Sequence, residues 1–193
     1  MIILGSQSPR RRELVSGLGI PFRCVRIDAD EHYPLSLQKE EIPIYIARAK
    51  ARAFSEKINE GDVLITSDTI VWLDGQMLGK PCDMADALRM LHLLSGRTHQ
   101  VYTAVCFYYF DKERRQWLED SIYDTTDVTF LNLSDEEIEY YIEKYHPFDK
   151  AGAYGIQEWI GYIGVTSIRG SYFNVMGFPI SKVYAYLKGH QLV

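Results

Sequence analysis

The sequence predicts a mixed α/β (α+β) domain built on a long, twisted mixed sheet with flanking helices. Short apolar strands alternate with helix-period segments from the N-terminus onward. A tight Asp74-Gly75 turn separates two apolar runs, and two long apolar stretches flank the charged turn at residues 111–115. Strands that alternate with helices call for a helix-covered sheet, and hairpins add antiparallel strands to it.

Met1-Ile2-Ile3-Leu4 is the first strand, and Ser6-Gln7-Ser8-Pro9-Arg10-Arg11-Arg12-Glu13 carries it into a helix. Ser8 is a natural N-cap, Pro9 suits the first helical position, and Gly19 is placed to end the helix. Residues 22–27 read as a second strand, followed by the acidic loop Asp28-Ala29-Asp30-Glu31. A helix is expected over 43–58 and a buried strand over 63–67, ending at Asp68. Residues 70–73 and 76–78 flank the Asp74-Gly75 type I′ signal. Asp83 caps a helix whose apolar positions are Met84, Ala87, Leu88 and Leu91, with Gly96 beyond it. Long strands follow over 101–110 and 117–130. Ser134-Asp135-Glu136-Glu137 opens a helix with a capping box. Residues 149–157 are glycine-rich and irregular, 163–168 form the last strand, and Pro179 begins a C-terminal helix that ends near Gly189.

The chain of 193 residues is long enough for a sizeable core and reads as one domain, 1–193. A net charge of −5 excludes a general binder of nucleic acid polymers, which needs a basic field. Any anion site must come from local placement of Arg and Lys. Three cysteines, Cys24, Cys82 and Cys106, are too few and too scattered for a disulfide framework or zinc cluster. No apolar run reaches membrane-spanning length, and the four-residue N-terminal run lacks the flanks of a signal peptide. The expected compartment is the cytoplasm.

Arg10 and Arg11 fall in the first turn of their helix, where the dipole disfavours cations by roughly 0.3–1 kcal/mol each. Backbone N–H groups, the Ser6 and Ser8 hydroxyls and two guanidiniums there make a phosphate site. The alternative is a merely solvated basic turn. Lys50 shares a helical face with Ile46, Ala47, Ala53 and Phe54, which points its ammonium inward. It either snorkels to water or holds a phosphate. Asp68 ends a strand where α/β sheets bind ligands, though a turn aspartate bonding its own backbone fits the same position. Mg²⁺ takes one or two carboxylates plus phosphate oxygens, and Glu31 with Asp68 can supply them. Lys80, in the stiff Gly79-Lys80-Pro81 turn, is either a fixed cation or an exposed loop lysine. His32, His92, His99, His146 and His190 lack metal-ligand spacing, and no Ser or Cys carries a nucleophile signature. Cations with two carboxylates fit metal-assisted attack on a polyphosphate.

Several ordered motifs carry a further signal. Besides the Ser6 to Arg11 segment they are Ala47-Arg48-Ala49-Lys50-Ala51, Ser67-Asp68-Thr69-Ile70-Val71, Gly79-Lys80-Pro81, Leu94-Ser95-Gly96, and Asp149-Lys150-Ala151-Gly152-Ala153-Tyr154-Gly155-Ile156-Gln157. In these the chain resembles, over nearly its full length, the Maf-like nucleoside triphosphate pyrophosphatases, once described as septum-formation proteins. The resemblance implies hydrolysis of a nucleoside triphosphate to the monophosphate and pyrophosphate with a divalent metal, Mg²⁺ or Mn²⁺. It also implies an elongated fold with a deep central cleft, and a homodimer. By motif position Asp68 looks like the catalytic base, Ser8, Arg11, Lys50 and Lys80 like phosphate binders, and Glu31, with Asp68, like a metal carboxylate.

Three positions sort the branches of that family. Members acting on dTTP and UTP resemble this chain at Arg10, Thr69 and Gln157, whereas the 7-methyl-GTP branch tends to carry Trp, Gln and Glu there. A Gln amide offers a donor and an acceptor, as the imide edge of uracil or thymine requires. The leading expectation is therefore a dTTP/UTP pyrophosphatase that also clears modified pyrimidine nucleotides. The alternatives are the same chemistry on 7-methyl-GTP, and a nucleotide-binding regulator of cell division without turnover. The chain departs from the family pattern at three places. Gly5 stands for alanine and is expected to loosen its loop, Glu158 stands for glycine beside Gln157, and Phe178 stands for leucine before Pro179.

Overall fold

β1 (Ile2–Gly5) is buried along its whole length and pairs in parallel with β2 (Phe22–Cys24) and β3 (Val63–Leu73). The computed structural model describes residues 1–193. β4 (Gln76–Leu78) folds back antiparallel on β3, with Val71 opposite Leu78. Asp74 and Gly75 both have positive φ, 48° and 80°, as a type I′ turn demands. β5 (Thr98–Asp111), β6 (Gln116–Phe130) and β7 (Val165–Arg169) complete a seven-stranded mixed sheet in the order β2-β1-β3-β5-β6-β7, with β4 paired to β3.

Several elements differ from the sequence expectation. β3 does not stop at Asp68 but runs on to Leu73, because Thr69, Ile70 and Val71 favour extended backbone and β4 continues the ladder. α1 (Pro9–Ser16) ends on Gly17, and Gly19 takes its left-handed φ of 68° beyond the helix. α2 (Glu41–Arg52) is shorter than 43–58; after it, Asn59 bonds Asp62 instead of continuing a helix. α5 (Trp159–Gly164) and α6 (Tyr172–Val175) were not expected, since each is too short to show a 3.6-residue period. α3 (Met84–Leu94), α4 (Asp135–Tyr145) and α7 (Ile180–Gly189) lie where their caps and spacing predict. None of these helices is long and apolar enough to cross a membrane.

The residues gather into two compact units, Met1–Asp68 with Thr103–Asp124 and Gly177–Val193, and Thr69–Tyr102 with Thr125–Met176. In the first, strand alternation sends Ile2, Leu4, Val63 and Ile65 to one face, against Val15 of α1 and Val183 and Leu187 of α7. Ile3 and Leu64 point the other way, against Ala47 and Ala51 of α2. Phe178 is fully buried in the first of these layers. Gly5 is not a loosened loop residue. It sits in the ladder opposite Thr66, and a Cβ there would approach Ile27 Cδ1 to 2.5 Å and Thr66 Cγ2 to 2.9 Å. The methyl of an alanine is replaced by the side chain of Ile27.

In the second unit α3 packs on α4 and on the tight turn Ala151–Ala153. The buried positions are Ala87, Met90, Leu91 and Leu94 on α3, and Ile138, Tyr141 and Ile142 on α4. Asp83 caps α3 through the Asp86 N–H at 2.8 Å, and Ser134 with Glu137 forms the capping box of α4. Each such cap is worth ~1 kcal/mol.

Candidate active site

The first unit assembles its polar centre by register. Thr66 Oγ1 donates to the Ala47 carbonyl at 2.6 Å, which docks α2 on β3. Three residues along the helix from Ala47 comes Lys50, and two along the strand from Thr66 comes Asp68, each on the same face as its predecessor. Their side chains meet, with Lys50 Nζ 2.8 Å from Asp68 Oδ1. The ammonium also lies 2.9 Å from Glu31 Oε1. The Lys50 side chain is only 13% exposed, so it does not snorkel; it is an inward cation held by two carboxylates. Asp68 is buried, and its carboxylate bonds a lysine rather than its own backbone turn. The other acidic loop residues are used locally, Asp28 by Arg26 at 2.9 Å and Asp30 by the His32 N–H at 2.9 Å. The hydrogen bonds from His32 hold the Asp30 carboxyl below the usual carboxylate range.

α1 starts as its sequence dictates, with Ser8 as N-cap, its Oγ 3.5 Å from the Arg11 N–H, and Pro9 in the first turn. The Ser8 N–H in turn reaches Ser6 Oγ at 3.2 Å. Arg11 then folds inward. Its Nε donates to the Gly177 carbonyl and its Nη1 to the Ser67 carbonyl, both at 2.8 Å. Burial lowers the guanidinium to about 10, against the opposing pull of Asp68 and with Arg10 adding to the drop. It therefore keeps its charge at neutral pH. Arg11 thus joins β3, α1 and the segment ahead of α7, and it contributes positive potential beside Asp68 and Glu31. Arg48 and Arg52 face elsewhere, to Ser121 and Glu119.

Of the expected residues, the first unit brings Arg11, Glu31, Lys50 and Asp68 together, with Ser8 at the start of the same helix as Arg11. Arg10 is a partly buried neighbour on that helix. Thr69, Lys80 and Gln157 belong to the second unit. Lys80 is exposed beside the buried Pro81, and the preceding Gly79 carbonyl accepts from the Gly152 N–H at 3.0 Å. Thr69 is partly buried in β3. Gln157 lies just before α5, and its side-chain Oε1 is buried without a hydrogen-bond partner.

Sequence reasoning missed Ser67, whose carbonyl holds Arg11 and whose Oγ is buried without a partner. It also missed a buried network around Glu158. Lys150 Nζ lies 2.7 Å from Asp149 Oδ1 and 3.1 Å from Glu158 Oε1, and the Tyr141 hydroxyl donates to Glu158 Oε2. Burial, then Glu158, push the Tyr141 phenol well above its ordinary value. The helical spacing of Ile138, Tyr141 and Ile142 marks Tyr141 as inward, but nothing in the sequence names its partner.

The donor set fits a divalent cation of the Mg²⁺ class. Asp68 and Glu31 already converge on one cation, the Lys50 ammonium, and both are hard oxygen donors. Three or more His, Cys, Asp or Glu that could form an all-protein cage do not cluster anywhere in the chain. Two carboxylates completed by phosphate and water oxygens are how Mg²⁺ is ordinarily held.

A family model described as Maf-like protein matches residues 1–190. The chain belongs to the Maf-like family. Curated relatives span it almost entirely. It is 54% identical over 97% of its length to the dTTP/UTP pyrophosphatase of Bacteroides thetaiotaomicron, covering 94% of that protein. The figures are the same for the dTTP/UTP pyrophosphatase of Phocaeicola vulgatus, and 51%, 97% and 92% for that of Porphyromonas gingivalis. The fold of this Maf-like chain is also similar to that of the Staphylococcus aureus Ham1 protein. The TM-score is 0.53 at 16% identity, over 97% of this chain and 98% of that one.

Proposed function

We propose that this chain hydrolyses dTTP and UTP to the nucleoside monophosphate and pyrophosphate. The observation that carries the reading is the Lys50 ammonium shared by Asp68 and Glu31 beside the Arg11 guanidinium, in a chain 51–54% identical to proteins named dTTP/UTP pyrophosphatase. A site built only to bind a polyphosphate gains little from extra negative charge, whereas a hydrolytic site can use a carboxylate to take a proton.

Asp68 is the general base in this reading. It accepts a proton from water as the water oxygen bonds to the α-phosphorus. The bond from that phosphorus to the αβ-bridging oxygen breaks, and pyrophosphate leaves with the bonding pair. Arg11 and Lys50 offset the charge that develops on the phosphate oxygens, with Ser8 and Lys80 assigned to the same task. Mg²⁺ or Mn²⁺, when held by Glu31 and Asp68, supplies further charge stabilisation. Arg10, Thr69 and Gln157 are assigned to the base. The chemistry of the Gln157 amide supports that assignment, because it carries both the acceptor for the N3–H of uracil or thymine and the donor for a neighbouring base carbonyl. The whole chain acts as one catalytic domain in the cytoplasm.

The test is turnover in ¹⁸O-labelled water. The label is expected in UMP alone, with pyrophosphate unlabelled and the rate lost on chelation. Label in pyrophosphate, or orthophosphate and diphosphate as first products, would contradict the assignment. Binding of dTTP without any release would favour a regulator.

A further inference from the structure

Glu158 occupies a more demanding position than a surface acid. Its backbone N–H donates to the Gly155 carbonyl at 3.0 Å, which closes the turn containing Gln157, and its carbonyl accepts from Gly161 at 2.9 Å as α5 begins. Its carboxylate is gripped on both oxygens, by Lys150 at 3.1 Å and by the Tyr141 hydroxyl. The same hydroxyl accepts from the Gly155 N–H at 2.9 Å, so the network returns to the turn it started from. Lys150 is itself buried, and its second partner is Asp149 at 2.7 Å.

Gln157 hangs on this frame. Its carbonyl accepts from the Tyr162 hydroxyl at 2.7 Å. Gly155 leaves the space its side chain uses, since a Cβ there would come 3.1 Å from Gln157 Nε2 and 2.8 Å from Glu158 Cδ. The outcome is an amide whose Oε1 is buried and accepts no hydrogen bond from the protein. An unpaired buried acceptor costs stability, and it is kept only where the surroundings hold it in place.

We infer that Glu158 is a positioning residue for base selection: clamped between Lys150 and Tyr141, it fixes the turn that aims the Gln157 amide at the pyrimidine edge. The role rests on the proposed reading of dTTP and UTP, and it adds a residue that touches no substrate. Glycine is commoner at this position in the family that the chain resembles, so the shared reaction does not itself call for the clamp.

The test compares Glu158→Ala, Gln157→Ala and the double variant, with kcat and KM measured for UTP and CTP. Cytosine presents an acceptor where uracil presents the N3–H donor, so the UTP:CTP ratio of kcat/KM reads the amide. Glu158→Ala is expected to lower that ratio by about tenfold, mostly through the KM for UTP, while inhibition by tripolyphosphate barely changes. Added to Gln157→Ala, it should lower the ratio no further. A fall in Tm with the ratio intact, or a loss that adds in full to that of Gln157→Ala, would overturn the positioning role. If Glu158→Ala does not fold, Glu158→Gln makes the same comparison, because it keeps an acceptor for Tyr141 and removes the charge facing Lys150. Should Gln157→Ala itself leave the ratio unchanged, the base-reading assignment fails and the role of Glu158 fails with it. A lowered ratio in Gln157→Ala and an intact one in Glu158→Ala would remove the clamp alone.

Discussion

Lys50 Nζ and Asp68 Oδ1 lie 2.8 Å apart, across the α2–β3 packing that the Thr66 to Ala47 hydrogen bond fixes. The pair makes Lys50 a compensated charge rather than a buried liability. Lys50→Met is therefore expected to cost stability, by about 1–3 kcal/mol, because Asp68 is left buried and facing Glu31. Adding Asp68→Asn should return most of that loss, which urea unfolding of the single and double variants measures. Activity should stay low in both, and full additivity of the two stability changes would mean that the ion pair contributes nothing.

Asp68→Asn alone separates chemistry from structure. The amide oxygen can still accept from Lys50, so the fold and its urea midpoint are expected to change little. Pyrophosphate release should fall by roughly 10²–10⁴-fold, the usual contribution of a general base. A well-folded variant with near-normal turnover would move the proton transfer to another group.

Much of this architecture is legible in the sequence because local signals and packing agree. The Ser8-Pro9 helix start, the Asp74-Gly75 turn and the Ser134–Glu137 box each need only neighbours in sequence, and each is found as expected. Lys50 is legible as inward from its helical face, yet its partners are not, since pairing with Glu31 and Asp68 depends on strand register between distant segments. From sequence alone Asp68 ends its strand, because an acid after an apolar run resembles a turn. The ladder with β4 keeps the backbone extended instead. Arg11 is legible as a cation in the first turn of its helix, but its two backbone carbonyl partners are not, because no sequence pattern announces a carbonyl as a partner. The Glu158 network escaped for the same reason, its three side chains coming from α4, the 149–150 turn and the start of α5.

Arg11→Lys tests whether that anchoring matters. A guanidinium spans the Ser67 and Gly177 carbonyls with two fixed donors, which a single ammonium cannot reproduce. The expected loss is about 1–3 kcal/mol of stability for the carbonyl left unpaired, together with a raised KM for the nucleotide. Thermal unfolding and steady-state kinetics measure the two effects, and a variant equal to the parent in both would mean that the two-carbonyl anchoring matters to neither fold nor substrate.

His99 predicts an acid weakness unconnected with catalysis. It is buried, its Nε2 lies 2.7 Å from the Tyr154 hydroxyl, and its Nδ1 has no partner. Burial lowers it from 6.5 to about 3, so the unfolded chain binds a proton as pH falls below 6.5 while the folded chain does not. Stability from this residue is therefore complete above that pH and drains away as pH falls towards 3. Near pH 4.5 the loss should be ~2–3 kcal/mol. Comparing urea midpoints at neutral pH and near pH 4.5, His99→Gln should show a smaller acid-induced drop than the parent by about that amount. An equal drop in both proteins would assign the acid sensitivity to the carboxylates.

Gln157→Glu asks whether the unpartnered amide reads the base. In the parent, the amide offers Oε1 as an acceptor for the base N3–H and Nε2 as a donor to a base carbonyl. The carboxylate keeps the shape and the acceptor but removes the donor, so a uracil or thymine carbonyl would face an oxygen. Leaving a buried polar group unpaired costs roughly 1–3 kcal/mol, and more when a charge is involved. The catalytic efficiency for dTTP and UTP is therefore expected to fall by about ten- to a hundredfold. A nucleotide whose base edge is rich in donors should lose less. Inhibition by tripolyphosphate, which has no base, should be nearly unchanged, and a panel of nucleotides with that control measures the difference. Equal losses across the panel would mean that Gln157 shapes its turn without touching the base, and the preference for pyrimidines would have to come from Arg10 and Thr69.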